Sequence, residues 1–151
     1  MSQLKYGWIS GGKASHKFKM KASQTFNNLS GRFVALDANG YAELALAADT
    51  FLIGYVEAGA ETTNAVDGVT QMNVIVDPTA IYRIPIQSSD TVLQSEVGKT
   101  CDIAIAGGIQ YADVDATVTD VLKIVGIPDD TTNEKWVDVM LNPATTIAGG
   151  V

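Results

Sequence analysis

The stretch Phe33-Val34-Ala35-Leu36-Asp37-Ala38-Asn39-Gly40-Tyr41-Ala42-Glu43-Leu44-Ala45-Leu46 decides the fold. Two short apolar runs flank Asn39-Gly40, a dipeptide that tolerates positive φ and so closes a tight hairpin. The run Glu43 to Ala48 is rich in Ala and Leu, which favours helix. The turn chemistry ahead of it favours a strand over Tyr41 to Leu46.

The same alternation of apolar run and turn extends to both sides. Phe51 to Glu57 reads as a strand running into a Gly/Thr/Asn-rich loop from Gly59 to Gly68. In Val69 to Val76, Met72, Val74 and Val76 share one face while Gln71 and Asn73 share the other. Tyr82, Ile84 and Ile86 alternate in the next strand, where Pro85 lacks a ladder donor and points to a sheet edge. Thr100 to Ala106 and Ile109 to Ala112 are joined by Gly107-Gly108, a hairpin signal. Leu122 to Ile127 follows, then a polar loop from Pro128 to Asn133. The last strand, Trp136 to Leu141, has Val137, Val139 and Leu141 on its buried face. About eight or nine short strands at this spacing predict an all-β sandwich or barrel with no internal repeat.

Composition agrees. A chain of 151 residues with 46% apolar residues and fourteen glycines is ample for one β-rich core. One cysteine excludes an internal disulfide, leaving packing or oligomerisation as the source of stability. Phe51 to Val56 is too short to span a bilayer, and no signal peptide is evident, so a soluble protein without a membrane partner is expected.

Charge divides the chain. Lys5, Lys13, Lys17, Lys19, Lys21 and Arg32 precede the first acidic residue, Asp37, yet the whole chain carries a net charge of −7. We therefore read residues 1–30 as a basic N-terminal arm and 31–151 as an acidic body. The arm holds the aromatics Tyr6, Trp8, Phe18 and Phe26. His16-Lys17-Phe18-Lys19-Met20-Lys21 alternates strictly, placing the lysines on one face and Phe18 and Met20 on the other. Such a segment is either a strand awaiting a partner sheet or a solvated tail. Trp8 is either an anchor for a partner or packing on its own body.

Catalytic chemistry is sparse. His16 is the only histidine, so His-rich metal sites and Cys/His zinc clusters cannot be built. A His16–Cys101 nucleophile pair requires the arm to fold back, and a small buried thiol explains Cys101 more simply. Asp113, Asp115 and Asp120, with Asp129 and Asp130, read as solvated surface rather than as calcium or glycosidase carboxylates. Asp37-Ala38-Asn39-Gly40 lacks the later ligands of a calcium loop, and Gly11-Gly12-Lys13 lacks the spacing of a phosphate loop. Lysines interleaved with aromatics can bind nucleic acid, but an acidic body opposes it, so no direct nucleic-acid binding is expected.

Several stretches resemble the small decoration (cement) proteins of tailed-phage capsids. They are Gly31 to Ala42, Ile53-Gly54-Tyr55-Val56, Val97 to Ile103, Leu122 to Gly126 and Trp136 to Asn142. The likeness lies in the order of elements: a turn-and-glycine opening, a Val-Gly-Lys start to a hairpin, and a closing strand ending in Asn-Pro. It implies a compact β-barrel or β-tulip body, often a homotrimer, on the outer capsid surface of the virion. It implies N-terminal arms that clamp neighbouring major capsid protein subunits after expansion, with no catalysis and no cofactor. The residues expected to grip the shell are Tyr6, Trp8, Lys13, Lys17, Phe18, Lys19, Met20 and Lys21. Deleting residues 1–28 is then expected to leave the body folded. The alternatives are a tail, fibre or baseplate accessory domain, or a small ligand- or carbohydrate-binding β-domain.

Overall fold

The computed structural model describes residues 6–27, 31–57, 61–87, 92–128 and 136–145. Among them the protein is all-β. In chain order the strands are β1 (Gly7–Ser10), β2 (Ser15–Lys19), β3 (Thr25–Phe26), β4 (Phe33–Leu36), β5 (Ala42–Leu44), β6 (Leu52–Val56) and β7 (Glu61–Thr62). They continue with β8 (Gln71–Ile75), β9 (Ile81–Pro85), β10 (Thr100–Ala106), β11 (Ile109–Asp113), β12 (Leu122–Gly126) and β13 (Trp136–Leu141). Both predicted hairpins form. At the first, Asp37 Oδ1 accepts the Asn39 and Tyr41 N–H groups, and only Gly40, at φ +87°, uses the left-handed region. At the second, Gly107 and Gly108 both have positive φ, the requirement of a two-residue type I′ turn.

The strands form sheets ordered β1-β9-β13-β12-β10-β11, β2-β8-β6-β4-β5 and β3-β7. Two five-strand sets within them have the same topology. In β2, β4, β5, β6, β8 and in β9, β10, β11, β12, β13, the spatial order is first, fifth, fourth, second, third. Neighbours are antiparallel throughout both sets. Each set bends into a ring whose seam is one parallel bridge, Met20 to Ala42 in the first and Ile86 to Ala112 in the second. The seam hydrogen bonds also match: Lys21 N–H to Ala42 O at 2.8 Å, and Gln87 N–H to Ala112 O at 3.0 Å.

The expectation of no internal repeat is therefore corrected. With the ladders matched, Met72-Asn73-Val74-Ile75-Val76-Asp77-Pro78 falls on Val137-Asp138-Val139-Met140-Leu141-Asn142-Pro143. Tyr41-Ala42-Glu43-Leu44 falls on Tyr111-Ala112-Asp113-Val114. The turns that end the fifth strands correspond too. Asp77 accepts the N–H of Thr79, and Asn142 that of Ala144, each through its side-chain oxygen. The domain is a tandem of two β units.

Two cores result. Met20, Phe26, Val34, Ala42, Ile53, Val56, Met72 and Val74 fill the first unit. A larger cluster fills the second and continues between the units, taking in Phe33, Leu52, Tyr55 and Ile75 from the first. β6 lies between the cores, which is why all five of its residues are buried. Phe33, Tyr55 and Tyr82 form the junction, with ring centroids 4.8, 5.1 and 5.0 Å apart. Such aromatic contacts add about 0.5–1.5 kcal/mol each beyond burial.

The leader does not stand apart as an arm. β1 pairs with β9, β2 with β8, and β3 with β7, and Met20 and Phe26 are core residues. The partner sheet that His16 to Lys21 calls for is the protein's own. β9 is likewise not an edge strand, because β1 covers it. Pro85 remains tolerable because the β1 pairing stops at Arg83. The Gly59–Gly68 segment contributes β7, and its first two residues lie outside the described residues.

Two outcomes follow for stability. Removing residues 1–28 deletes three strands and two core side chains, so the remainder is expected to lose its cooperative thermal transition by circular dichroism. A Cβ at Gly54 would collide with the Ile75 carbonyl oxygen, whereas Gly126 faces open space. Urea titration is expected to show Gly54→Ala losing about 3 kcal/mol or more, and Gly126→Ala less than about 1 kcal/mol.

Candidate functional site

The basic residues of the leader are positioned by the turn that links the two units. Gly11, at φ +81°, lies so close to Thr79 that a Cβ would strike its carbonyl oxygen. Gly12 N–H donates to Thr79 Oγ1 at 2.9 Å, and Ala14 N–H donates to Asp77 Oδ2 at 3.1 Å. Asp77 Oδ1 accepts the Thr79 hydroxyl at 2.6 Å and the Thr79 N–H at 2.9 Å. The Thr79 hydroxyl, then the Thr79 and Ala14 N–H groups, hold this carboxyl below its usual range. Gly11-Gly12 thus serves close packing of two turns, a role its sequence context alone did not reveal.

From this turn β2 runs along the edge of its sheet. Met20 N–H donates to Thr70 O and Val76 N–H to Ala14 O, so the even-numbered peptides of β2 face β8. The odd-numbered peptides of Ser15 and Lys17 face outward, where no described strand pairs with them. His16, Lys17 and Lys19 are exposed. Lys17 and Lys19 have no ion pair among the described residues. In the matching ladder of the second unit, Arg83 faces Asp138 in a bidentate pair at 2.8 and 3.0 Å. Opposite Lys17 stands Asn73.

The other expected contact residues divide by burial. Met20 is fully buried and unavailable to a partner. Phe18 is half-buried over the first core, with His16 edge-on to it at 5.2 Å. Lys21 Nζ is held by Glu43 at 2.9 Å and Asp37 at 3.9 Å. The hydrogen bond to Glu43 and its charge raise the Lys21 pKa. Tyr6 and Trp8 are half-buried against the larger core. Tyr6 donates its hydroxyl to Gln110 O at 2.6 Å, and burial holds that phenol well above its usual pKa. Trp8 donates its indole N–H to Gly12 O, and Lys13 Nζ lies 4.8 Å from the Trp8 ring centroid and 3.8 Å from Glu57. The exposed basic set is therefore Lys13, His16, Lys17 and Lys19 on the first unit.

The remaining chemistry is elsewhere and mostly structural. Cys101 is buried in the larger core, and burial, then Asp102, pushes its thiol up to about 12, far from a nucleophile's range. His16 is on the opposite unit's surface. Asp102 accepts three successive N–H groups, from Val118, Thr119 and Asp120, at 2.8–3.0 Å. Asp120 accepts the Thr100 hydroxyl, and Asp115 lines a shallow groove of about 480 Å³ with Glu96 and Lys99. Among the described residues no three His, Cys, Asp or Glu side chains gather for a metal, and no helix is long and apolar enough to cross a membrane. Asp129 and Asp130 lie outside the described residues, as does most of the loop after Pro128. A smaller cleft of about 180 Å³ lies between Tyr6, Trp8, Lys13, Arg32, Tyr55 and Glu57.

Asp77 gives the site a pH signature. A depressed carboxyl contributes stability in full above its unfolded pKa of about 3.9, and that contribution is lost as pH falls through the lower folded value. Asp77→Asn is therefore expected to flatten the acid limb of the stability–pH curve below about pH 4. The readout is Tm across an acid series. No protein-family model, no curated protein and no solved structure matches this chain.

Proposed function

We propose that this protein is a capsid decoration, or cement, protein of a tailed phage, docking on the outer surface of the expanded head through the basic face of its first unit. One observation carries the reading: Lys17 and Lys19 stand exposed on one face of β2, with no ion pair among the described residues, on a protein of net charge −7. A concentrated basic face on an acidic particle orients docking toward an acidic surface and keeps copies from binding one another indiscriminately. The resemblance of its sequence elements, in their order along the chain, to decoration proteins is what points to the major capsid protein as that surface.

The physical role needs no reaction. A protein that binds an assembled lattice better than free subunits stabilises the lattice by mass action. In a homotrimer, three modest contacts act together through effective concentration. What grips the shell in this reading is a rigid strand edge rather than a loose arm, so less conformational entropy is lost on docking.

Co-sedimentation with expanded and unexpanded capsids tests this. The expected result is saturable binding to expanded shells alone, with a copy number that scales with the lattice. Reversing two charges, as Lys17→Glu with Lys19→Glu, is expected to weaken binding about tenfold, equivalent to about 1.4 kcal/mol. Binding to neither shell overturns the proposal, and recovery with tails instead identifies a tail or baseplate component.

A further inference from the structure

The two units agree in strand order, register and seam, but differ in what covers their first strand. In the second unit the outward peptides of Ile81 and Arg83 face β1, which runs antiparallel to β9 with Gly7 opposite Arg83. Matched through the ladders, these positions are Ser15 and Lys17 of β2. There the outward N–H and C=O groups meet no described strand. The seam occupies the same outward side in both units only farther along, at Lys21 and Gln87. Among the described residues the fold therefore contains the same strand position twice and fills it once.

The side chains indicate what fills the other. Arg83 is neutralised across its own ladder by Asp138, but the corresponding carboxylate is replaced by Asn73 opposite Lys17. Lys17 is left exposed, with no ion pair among the described residues, between His16 and Lys19. At the place of Tyr82, buried against Phe33 and Tyr55, stands exposed His16. The neighbourhood is adapted to a polar, anionic occupant and not to a second aromatic layer. A copy of β1 from another molecule does not suit it: Gly7-Trp8-Ile9-Ser10 has no acid, and Trp8 is committed to its own core.

We infer that the outer edge of β2 over Ser15–Lys17 accepts an extended, acidic segment of a partner protein as an added antiparallel strand, with a carboxylate of that segment against Lys17. Main-chain hydrogen bonds supply the attachment, and the lysines select the charge. The inference rests on the duplication, and it holds whether the segment belongs to a capsid subunit or to another protein.

The test is amide hydrogen exchange by NMR on the full chain, with a short synthetic peptide of alternating glutamate and valine as the probe. At saturating peptide, exchange of the Lys17 amide is expected to slow by about tenfold or more, while a lysine–valine peptide has no effect. Lys17→Pro removes an outward N–H without touching the β8 ladder and is expected to abolish peptide binding. Asn73→Asp, which restores the second unit's pairing to Lys17, is expected to weaken the acidic peptide several-fold while leaving the fold intact. An unchanged Lys17 amide overturns the inference, as does equal binding of the lysine peptide. Protection that grows with protein concentration in the absence of peptide also overturns it, because the edge then belongs to a second copy. None of these readouts requires capsids, so failure here and failure of capsid binding are separate results.

Discussion

The side-chain amide of Gln110 reaches from the second unit into the first and takes the place of a strand neighbour for Phe33. Its Oε1 accepts the Phe33 N–H at 2.9 Å, and its Nε2 donates to Phe33 O at 3.0 Å and Ala45 O at 3.3 Å. Its own carbonyl accepts the Tyr6 hydroxyl. These groups sit in the larger core, where an unpaired peptide costs about 1–3 kcal/mol. The amide thus allows the outer face of one ring to be buried against the next without leaving polar backbone orphaned. The Phe33 ring meets Tyr55 and Tyr82 at the same junction, and Gln110 holds the Phe33 backbone there.

Much of the body was legible from local rules. Phe33 to Leu36, Thr100 to Ala106 and Trp136 to Leu141 have the predicted bounds, because turn residues delimit them and, in the last, buried positions alternate with half-buried ones. The leader was misread because its partners are remote: Gly7 meets Arg83 and Phe18 meets Met72, and no adjacent hairpin turn announces either pairing. The alternation of Lys17, Phe18, Lys19 and Met20 was correctly a strand pattern, and only the owner of the sheet was missed. Pro85 was a sound edge signal on one side of its own residue and a poor one for a strand covered by a segment from the far N-terminus.

The duplication escaped the sequence for a physical reason. Matching positions preserve burial and size class rather than identity, as in Met72 with Val137, Val34 with Cys101 and Ile53 with Val121. The hairpin between β10 and β11 is also longer than that between β4 and β5, so no fixed period survives. Only the ladders restore the alignment. Divergence of surface residues on a shared scaffold is where function separates from fold. The exchange of Asp138 for Asn73 is such a change: it leaves the strand intact and alters only whether a cation is satisfied from within.

The seams have a further consequence for how the chain comes off the ribosome. In each ring the first strand pairs with the fifth, so β2 cannot close its ladder until β8 has been made, nor β9 until β13. β1 is synthesised before either ring yet belongs beside β9, with Trp8 lodged in a core that the last strand completes. Domains usually consolidate from the N-terminus during synthesis, and long-range pairing is slow. Here β1 is among the last strands to find its place. Until it does, an indole and an unpaired strand stay displayed to the cell while the strands that follow are made.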